Sequence, residues 1–320
     1  MKKNINTFSL FAGILLFLGL IASPINSHSN EAYDIELERA TRSGKSAKVS
    51  NLLEKGANVN YKSKGGITPI MWASKIGNER IVKILLSKGA NVNHQDEYGK
   101  TPLMYASKKG HKGIVQALLA KGAKTEYQTK SSETALIHAS MKGHEGVVRS
   151  LLNKDAEVNY QTEYGHTPLM YASERGYEGI VRILLAKGAD PNHPSKRDRH
   201  PLIFASEKGY EGIVWLLLSN GANTNYQTKS GHTALIAASW RGNITIVKAL
   251  IDKGAEINNQ TKSGRTPLIA ASQRGHAEIV QLLLDQGAEV NLRDRSHSTA
   301  LKYARTEKIK DLLKAAGATK

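Results

Sequence analysis

Asp96-Glu97-Tyr98-Gly99-Lys100-Thr101-Pro102-Leu103-Met104-Tyr105-Ala106-Ser107 is the stretch that decides the fold, because the chain repeats it. Thr68-Pro69, Thr101-Pro102, Thr134-Ala135, Thr167-Pro168, His200-Pro201, Thr233-Ala234, Thr266-Pro267 and Thr299-Ala300 open the same phrase. Each lies 33 residues after the last, with no insertion. A period of that size is the signature of stacked repeats. Within one unit, Thr101 suits a helix N-cap, and Pro102 suits the first helical position, where a missing N–H is no loss. The spacing predicts a short helix through Leu103, Ala106 and Ser107 that closes at Gly110. A second helix follows, with Ile114, Val115, Leu118 and Leu119 as one apolar stripe, and Gly122 ends it. Ala123 to Glu133 is polar and turn-prone, as a loop or hairpin should be. The small residue at Ala73, Ala106, Ala139, Ala172, Ala205, Ala238, Ala271 and Ala304 lets paired helices approach closely. A unit of this size cannot bury its own apolar face, so neighbours must stack into one continuous core.

These motifs together resemble the ankyrin repeat: Thr-Pro-Leu, the Ala of the first helix, Gly110-His111 and Gly143-His144, Ile-Val-x-x-Leu-Leu, and Gly-Ala-x-Val-Asn at Gly89 to Asn93. The resemblance covers Glu31 to the end of the chain. It implies an all-α solenoid of about nine helix–turn–helix repeats joined by β-hairpin-like loops. It also implies protein–protein interaction through hairpin tips and the exposed face of the first helix. One departure is systematic. The His that usually follows Thr-Pro-Leu is replaced by Met71, Met104, Ile137, Met170, Ile203, Ile236 or Ile269, read here as an apolar swap inside the repeat.

The first residues follow another logic. Lys2 and Lys3 precede an uncharged, mostly apolar run from Phe8 to Ala22, and no acid appears before Glu31. That pattern is read as a secretory signal peptide over residues 1–27, with cleavage after Ser27 or Ser29. The run is shorter than a membrane span requires, which leaves an uncleaved membrane anchor as the alternative. The expected destination is the periplasm or the exterior. The repeat domain is then 31–320: an N-terminal cap repeat at 31–60, seven regular repeats at 61–298, and a C-terminal cap repeat at 299–320. The last repeat is three residues shorter between Ala304 and Gly317. Two repeats are irregular. Asp155 stands where the others have a helix-ending Gly, and Pro191 to His200 has Asp198 at the hairpin Gly and no Thr cap.

The chain has no cysteine, hence no disulfide, thiolate metal site or thiol nucleophile. No zinc-protease, phosphate-loop, nucleophile-elbow or calcium-loop motif occurs, so no enzyme activity, cofactor or metal is expected. Of the eleven His, His111, His144 and His276 recur at the start of the second helix and read as a structural ladder. His166, His200 and His232 lie one per repeat at hairpin ends, too dispersed to share an ion.

Charge is the informative signal. The chain carries +17, and removing Lys2 and Lys3 leaves 43 basic against 28 acidic residues. The residue before the first helix's closing Gly is Ile76, Lys109, Lys142, Arg175, Lys208, Arg241 or Arg274. A second column at the hairpin tips is Lys64, Glu97, Lys130, Glu163, Lys196, Lys229, Lys262 and Arg295, and Lys100, Arg199 and Arg265 directly precede the cap. Cations in a helix's last turn gain roughly 0.3–1 kcal/mol from its dipole, which explains the Lys109 column structurally. No dipole requires the hairpin column. Two basic columns on one concave face favour an anionic partner. Aromatics interleave: Tyr61, Tyr127, Tyr160 and Tyr226 in one phase, suited to packing on the next hairpin, and Tyr98 and Tyr164 in another. Trp240 sits beside Arg241 at a phase expected to be exposed, whereas Trp72 and Trp215 read as structural. The expected binding set is Lys109, Lys142, Arg175, Lys208, Trp240, Arg241, Arg274, Lys100, Arg199, Arg265, Tyr98 and Tyr164. The leading expectation is a monomeric scaffold for an acidic protein. The competing one is a binder of anionic polymers such as lipopolysaccharide, teichoic-type chains or glycosaminoglycan, or of an anionic membrane surface. Nucleic acid would suit the charge, but an exported chain would not meet it in the cell of origin.

Overall fold

A computed structural model describes residues 27–319 except 194, 197 and 199. The signal-peptide reading of the leader therefore lies outside the described residues, apart from Ser27. The described chain contains eighteen α-helices and no strand. The inner helices are α1 (Ser27–Arg42), α3 (Pro69–Ile76), α5 (Pro102–Lys109), α7 (Ala135–Lys142), α9 (Pro168–Arg175), α11 (Pro201–Lys208), α13 (Ala234–Arg241), α15 (Pro267–Arg274) and α17 (Ala300–Tyr303). Each is followed by its outer partner: α2 (Ser46–Glu54), α4 (Glu79–Ser87), α6 (Lys112–Ala120), α8 (Glu145–Leu152), α10 (Glu178–Ala186), α12 (Glu211–Ser219), α14 (Ile244–Asp252), α16 (Ala277–Asp285) and α18 (Glu307–Ala315). Inner helices pack on the inner helices before and after them, and outer on outer. The result is a solenoid with one core running from Leu37 to Leu313.

The local chemistry is the one the repeat phrase dictates. The hydroxyls of Thr101, Thr134, Thr167, Thr233 and Thr266 accept the backbone N–H three residues on, at 3.0–3.3 Å, and so cap their helices. Each regular inner helix closes on a left-handed Gly. At Gly77, Gly110 and Gly242 a Cβ would also collide with the next repeat's imidazole, at 2.4–2.6 Å. That is the work of the His ladder: His111, His144 and His276 fill the space over the preceding Gly, and His144 Nε2 reaches the Lys108 carbonyl at 3.1 Å. The alanines at one phase from Ala73 to Ala271 are fully buried, and the Met/Ile column that replaces the usual His is buried as well.

An asparagine clamp ties the loops together. Asn93 accepts from Lys124 N–H (2.9 Å) and donates to the Gly122 carbonyl (3.1 Å), so one amide grips both sides of the next repeat's turn. Asn159, Asn192 and Asn225 do the same. The hairpins stack by backbone bonds, Glu97 N–H to Gly65 O and Lys130 N–H to Tyr98 O, both at 3.0 Å.

Both ends depart from the regular unit. The helix α1 has 16 residues, twice the usual inner length, and starts at Ser27, so both cleavage positions read from the sequence fall in its first turn. The three missing residues of the last repeat shorten α17 to a single turn, and Arg305 packs over Gly275 where a His, Tyr or Asn lies elsewhere.

Candidate functional site: the inner face

The inner helices leave three phases facing away from the core. The first is an aromatic-rich column of Trp72, Tyr105, His138, Tyr171 and Phe204, which changes to Ala237 and Ala270. The second, three residues on, is Lys75, Lys108, Met141, Glu174, Glu207, Trp240 and Gln273. The third is the exposed column of Lys109, Lys142, Arg175, Lys208, Arg241 and Arg274, at the last helical residue. The hairpin residues Lys100 and Arg265 stand at the opposite end of these helices, about 12 Å away for eight residues at 1.5 Å each. The two basic columns are therefore rails along opposite edges of the inner face, with the first two phases between them.

Toward the N-terminus, Trp72 lies between Arg42 and Lys75, each 4.6 Å from its ring centroid. The Tyr105 ring has Lys75 at 6.0 Å and Lys100 at 5.9 Å, and Lys100 also lies 5.3 Å from Tyr98. Such contacts are worth about 0.5–1 kcal/mol at exposed sites. Tyr105 donates to Asp96 Oδ2 at 2.6 Å, and burial together with that bond holds its phenol above the ordinary range. Lys75, Lys100, Lys108 and Lys109, with Met104, Tyr105 and His138, line a cavity of about 260 Å³.

Toward the C-terminus, Trp240 is half-buried between the guanidinium groups of Arg265 (4.5 Å) and Arg274 (4.8 Å). Beside it lies a larger groove of about 430 Å³ floored by Ile203, Phe204, Ile236, Ala237 and Trp240. It opens where the aromatic column gives way to alanine. His200 is buried there, stacked on Tyr226 with ring centroids 4.2 Å apart, and burial lowers its imidazole to about 4. His200 and His232 thus share one groove with Asp198, closer company than their hairpin positions suggest.

The structure brings some of the sequence-derived residues together and separates others. Lys100 and Lys109 share the N-terminal cavity, and Trp240, Arg265 and Arg274 form the C-terminal cluster. Lys208 and Arg241 lie at the turn edge in a shallow groove with Glu207, which is 3.9 Å from Arg241. Lys142 and Arg175 are exposed on the rail and line neither cavity, and Glu133, Glu174 and Glu207 interrupt the positive face between the clusters. Tyr98 and Tyr164 are exposed, at 61% and 41%. Arg199 lies outside the described residues. Sequence reasoning missed Lys75, Lys108 and His138, although a column one residue ahead of Lys109 would have shown the lysines.

One expectation is overturned. Trp215 is 47% exposed on the outer face of α12, at the position held elsewhere by Lys83, Gln116, Arg149, Arg182 and Lys248, so it is not a core residue. Trp72 is structural only in part, since both its flanking cations belong to the inner face. Among the described residues no group of three or more His, Cys, Asp or Glu is placed to hold a metal ion, and no helix is long and apolar enough to cross a membrane.

Comparison with curated proteins gives no match. The family described as ankyrin repeats (3 copies) matches residues 37–129, 124–195, 192–261 and 242–318. Those segments run through nearly all of the solenoid, and the chain belongs to the ankyrin-repeat family.

Proposed function

We propose that the chain is a non-catalytic scaffold whose inner face docks an acidic protein partner. Ankyrin repeats as a class mediate protein–protein interaction, and the extended inner face of a solenoid is built from replaceable side chains. The observation that carries the acidic partner is the placement of cations around aromatic rings: Arg42 and Lys75 on Trp72, Lys75 and Lys100 on Tyr105, Arg265 and Arg274 on Trp240. Trp, Tyr and Arg dominate interface energetics when a partner buries them. The leader of Lys2-Lys3 and Phe8 to Ala22 supports export, so the partner is sought in the cell envelope or outside the cell.

The test is a crosslinking capture from the envelope fraction at low and moderate salt. It compares the chain from Asn30 onward with Trp240→Ala and with the triple reversal Lys75→Glu, Lys100→Glu, Lys108→Glu. One acidic protein held by the unaltered chain at both salts, and lost on either change, is the expected result. The competing polymer reading rests on the two edge rails. It predicts diffuse capture of anionic polymer that disappears at moderate salt, because exposed charges are screened over about 8 Å at 0.15 M.

A further inference from the structure

The N-terminal cavity is lined by four lysines from two successive repeats and by a histidine from a third. Lys75 comes from α3, Lys100 from the next hairpin, Lys108 and Lys109 from α5, and His138 from α7. Among the described residues none of the four lysines forms an ion pair with a carboxylate, although the same chain pairs Arg149 with Glu145 and Arg182 with Glu178 at 2.8–2.9 Å. Like charges drawn into one cavity without a counter-charge raise the energy of the empty protein. The nearest acids are spoken for or set back. Asp96 is engaged by Tyr105 and by two backbone N–H groups, and Glu133 Oε2 is 3.7 Å from His138 Nε2, beyond hydrogen-bonding reach.

The second observation is independent of the lysines. His138 is 2% exposed, it lines the cavity, and its Nε2 has no hydrogen-bond partner. A buried polar nitrogen without a partner is destabilising, and a ligand atom could supply the missing bond. Other repeats place Trp, Tyr, Phe or Ala at this phase, so the fold does not require the imidazole.

We infer that this cavity is an oxyanion site that holds one phosphoryl group, bound by the Lys75, Lys100 and Lys108 ammonium groups with His138 Nε2–H as a directional donor. Lysine serves phosphate as a point charge, and several lysines suit an anion with charge spread over three oxygens. A cavity of about 260 Å³ has room for a phosphoryl group. Its biological meaning rests on the docking role of the inner face, with the phosphoryl group carried by the docked partner. Its test does not, since inorganic phosphate needs no partner protein.

The experiment follows the His138 ring resonances by NMR, assigned with His138→Gln, while the full repeat chain is titrated with inorganic phosphate. Sulfate, acetate and chloride are titrated in parallel at matched ionic strength. A saturable phosphate shift at millimolar concentration is expected, weakened about tenfold by each of Lys75→Met and Lys108→Met. No saturation, or an equal shift in those variants or with chloride, would overturn the site. Sulfate binding more tightly than phosphate would transfer it to a sulfo group, and acetate matching phosphate would transfer it to a carboxylate; either result overturns the phosphoryl assignment. A positive titration with no captured partner would leave the site standing and remove the docking role.

Discussion

Ser74, Ser107, Ser140, Ser173, Ser206, Ser239 and Ser272 occupy one phase of the inner helices, all fully buried, each with a hydroxyl that makes no hydrogen bond. Their neighbours one residue back are the buried alanines, so the site demands small volume and not polarity. Replacing Ser140 and Ser173 by Ala should stabilise the chain by about 1 kcal/mol each, read as a higher urea midpoint at unchanged slope. Destabilisation would mean that these hydroxyls find partners within the helix. His138 and His200 give the same scale a pH dependence. Burial lowers both imidazoles to about 4, His138 with added repulsion from Lys108, Lys100 and Lys142, while Asp190 opposes the shift at His200. The unfolded chain takes up these protons near 6.5 and the folded chain only near 4, so the unfolded state binds more protons between those values. Stability is therefore full above pH 6.5 and falls as the pH drops toward 4, by about 3 kcal/mol for each residue. His138→Tyr and His200→Thr restore residues that sister repeats use at these positions. The double variant should show a shallower loss of unfolding free energy between pH 7 and pH 4.5, and an unchanged slope would place the acid sensitivity elsewhere.

Between elements, the asparagine clamp loses its asparagine at one link. Glu126 takes the place that Asn93 and Asn159 hold, and a carboxylate cannot donate to the next turn's carbonyl; its contact is Lys124 at 3.8 Å. In the following turn Asp155 replaces Gly and adopts φ 57°, a left-handed conformation costing a side chain about 1 kcal/mol. The two lesions face each other across one junction, between α6 and α8. Glu126→Asn with Asp155→Gly should raise stability by roughly 1–2 kcal/mol. Amide hydrogen exchange in Glu145–Leu152 should slow more than in Ile244–Asp252, since contacts in a stacked array are local. A uniform change in both helices would show that the junction is not a weak point.

Across the whole molecule, cations gather at both ends of the inner face, with acids between them and a basic rail at each edge. Reversal of the inner set at Lys75, Lys100 and Lys108 should raise the partner's off-rate, because those groups would be covered in a complex. Reversal of the rail at Lys142 and Arg175 should lower the on-rate and its salt dependence and leave the off-rate within about threefold. Surface plasmon resonance with the captured partner separates the two, and equal effects from both sets would make the rails part of the interface. The exposed Trp215 on the outer face lies apart from all of these groups, and Trp215→Ala should leave both rates unchanged.

The sequence by itself determined the repeat, the helix boundaries, the caps and the left-handed glycines. Those features are set within a single unit, where Thr101, Pro102 and Gly110 act on their own neighbours and the 33-residue period repeats the result. It also determined the His ladder, which follows from phase alone. Only the tertiary structure decided which cations share a cavity and which stand alone on a rail. Lys75 meets Lys100 from the following hairpin and His138 from two repeats on, so their company depends on how successive units rotate and stack. Trp215 is the contrary case, since its phase carries Lys83, Gln116, Arg149, Arg182 and Lys248 in other repeats and its exposure was legible from the period. Local chemistry repeats with the period, whereas the surroundings of a side chain are shared among neighbouring repeats whose differences no single unit contains.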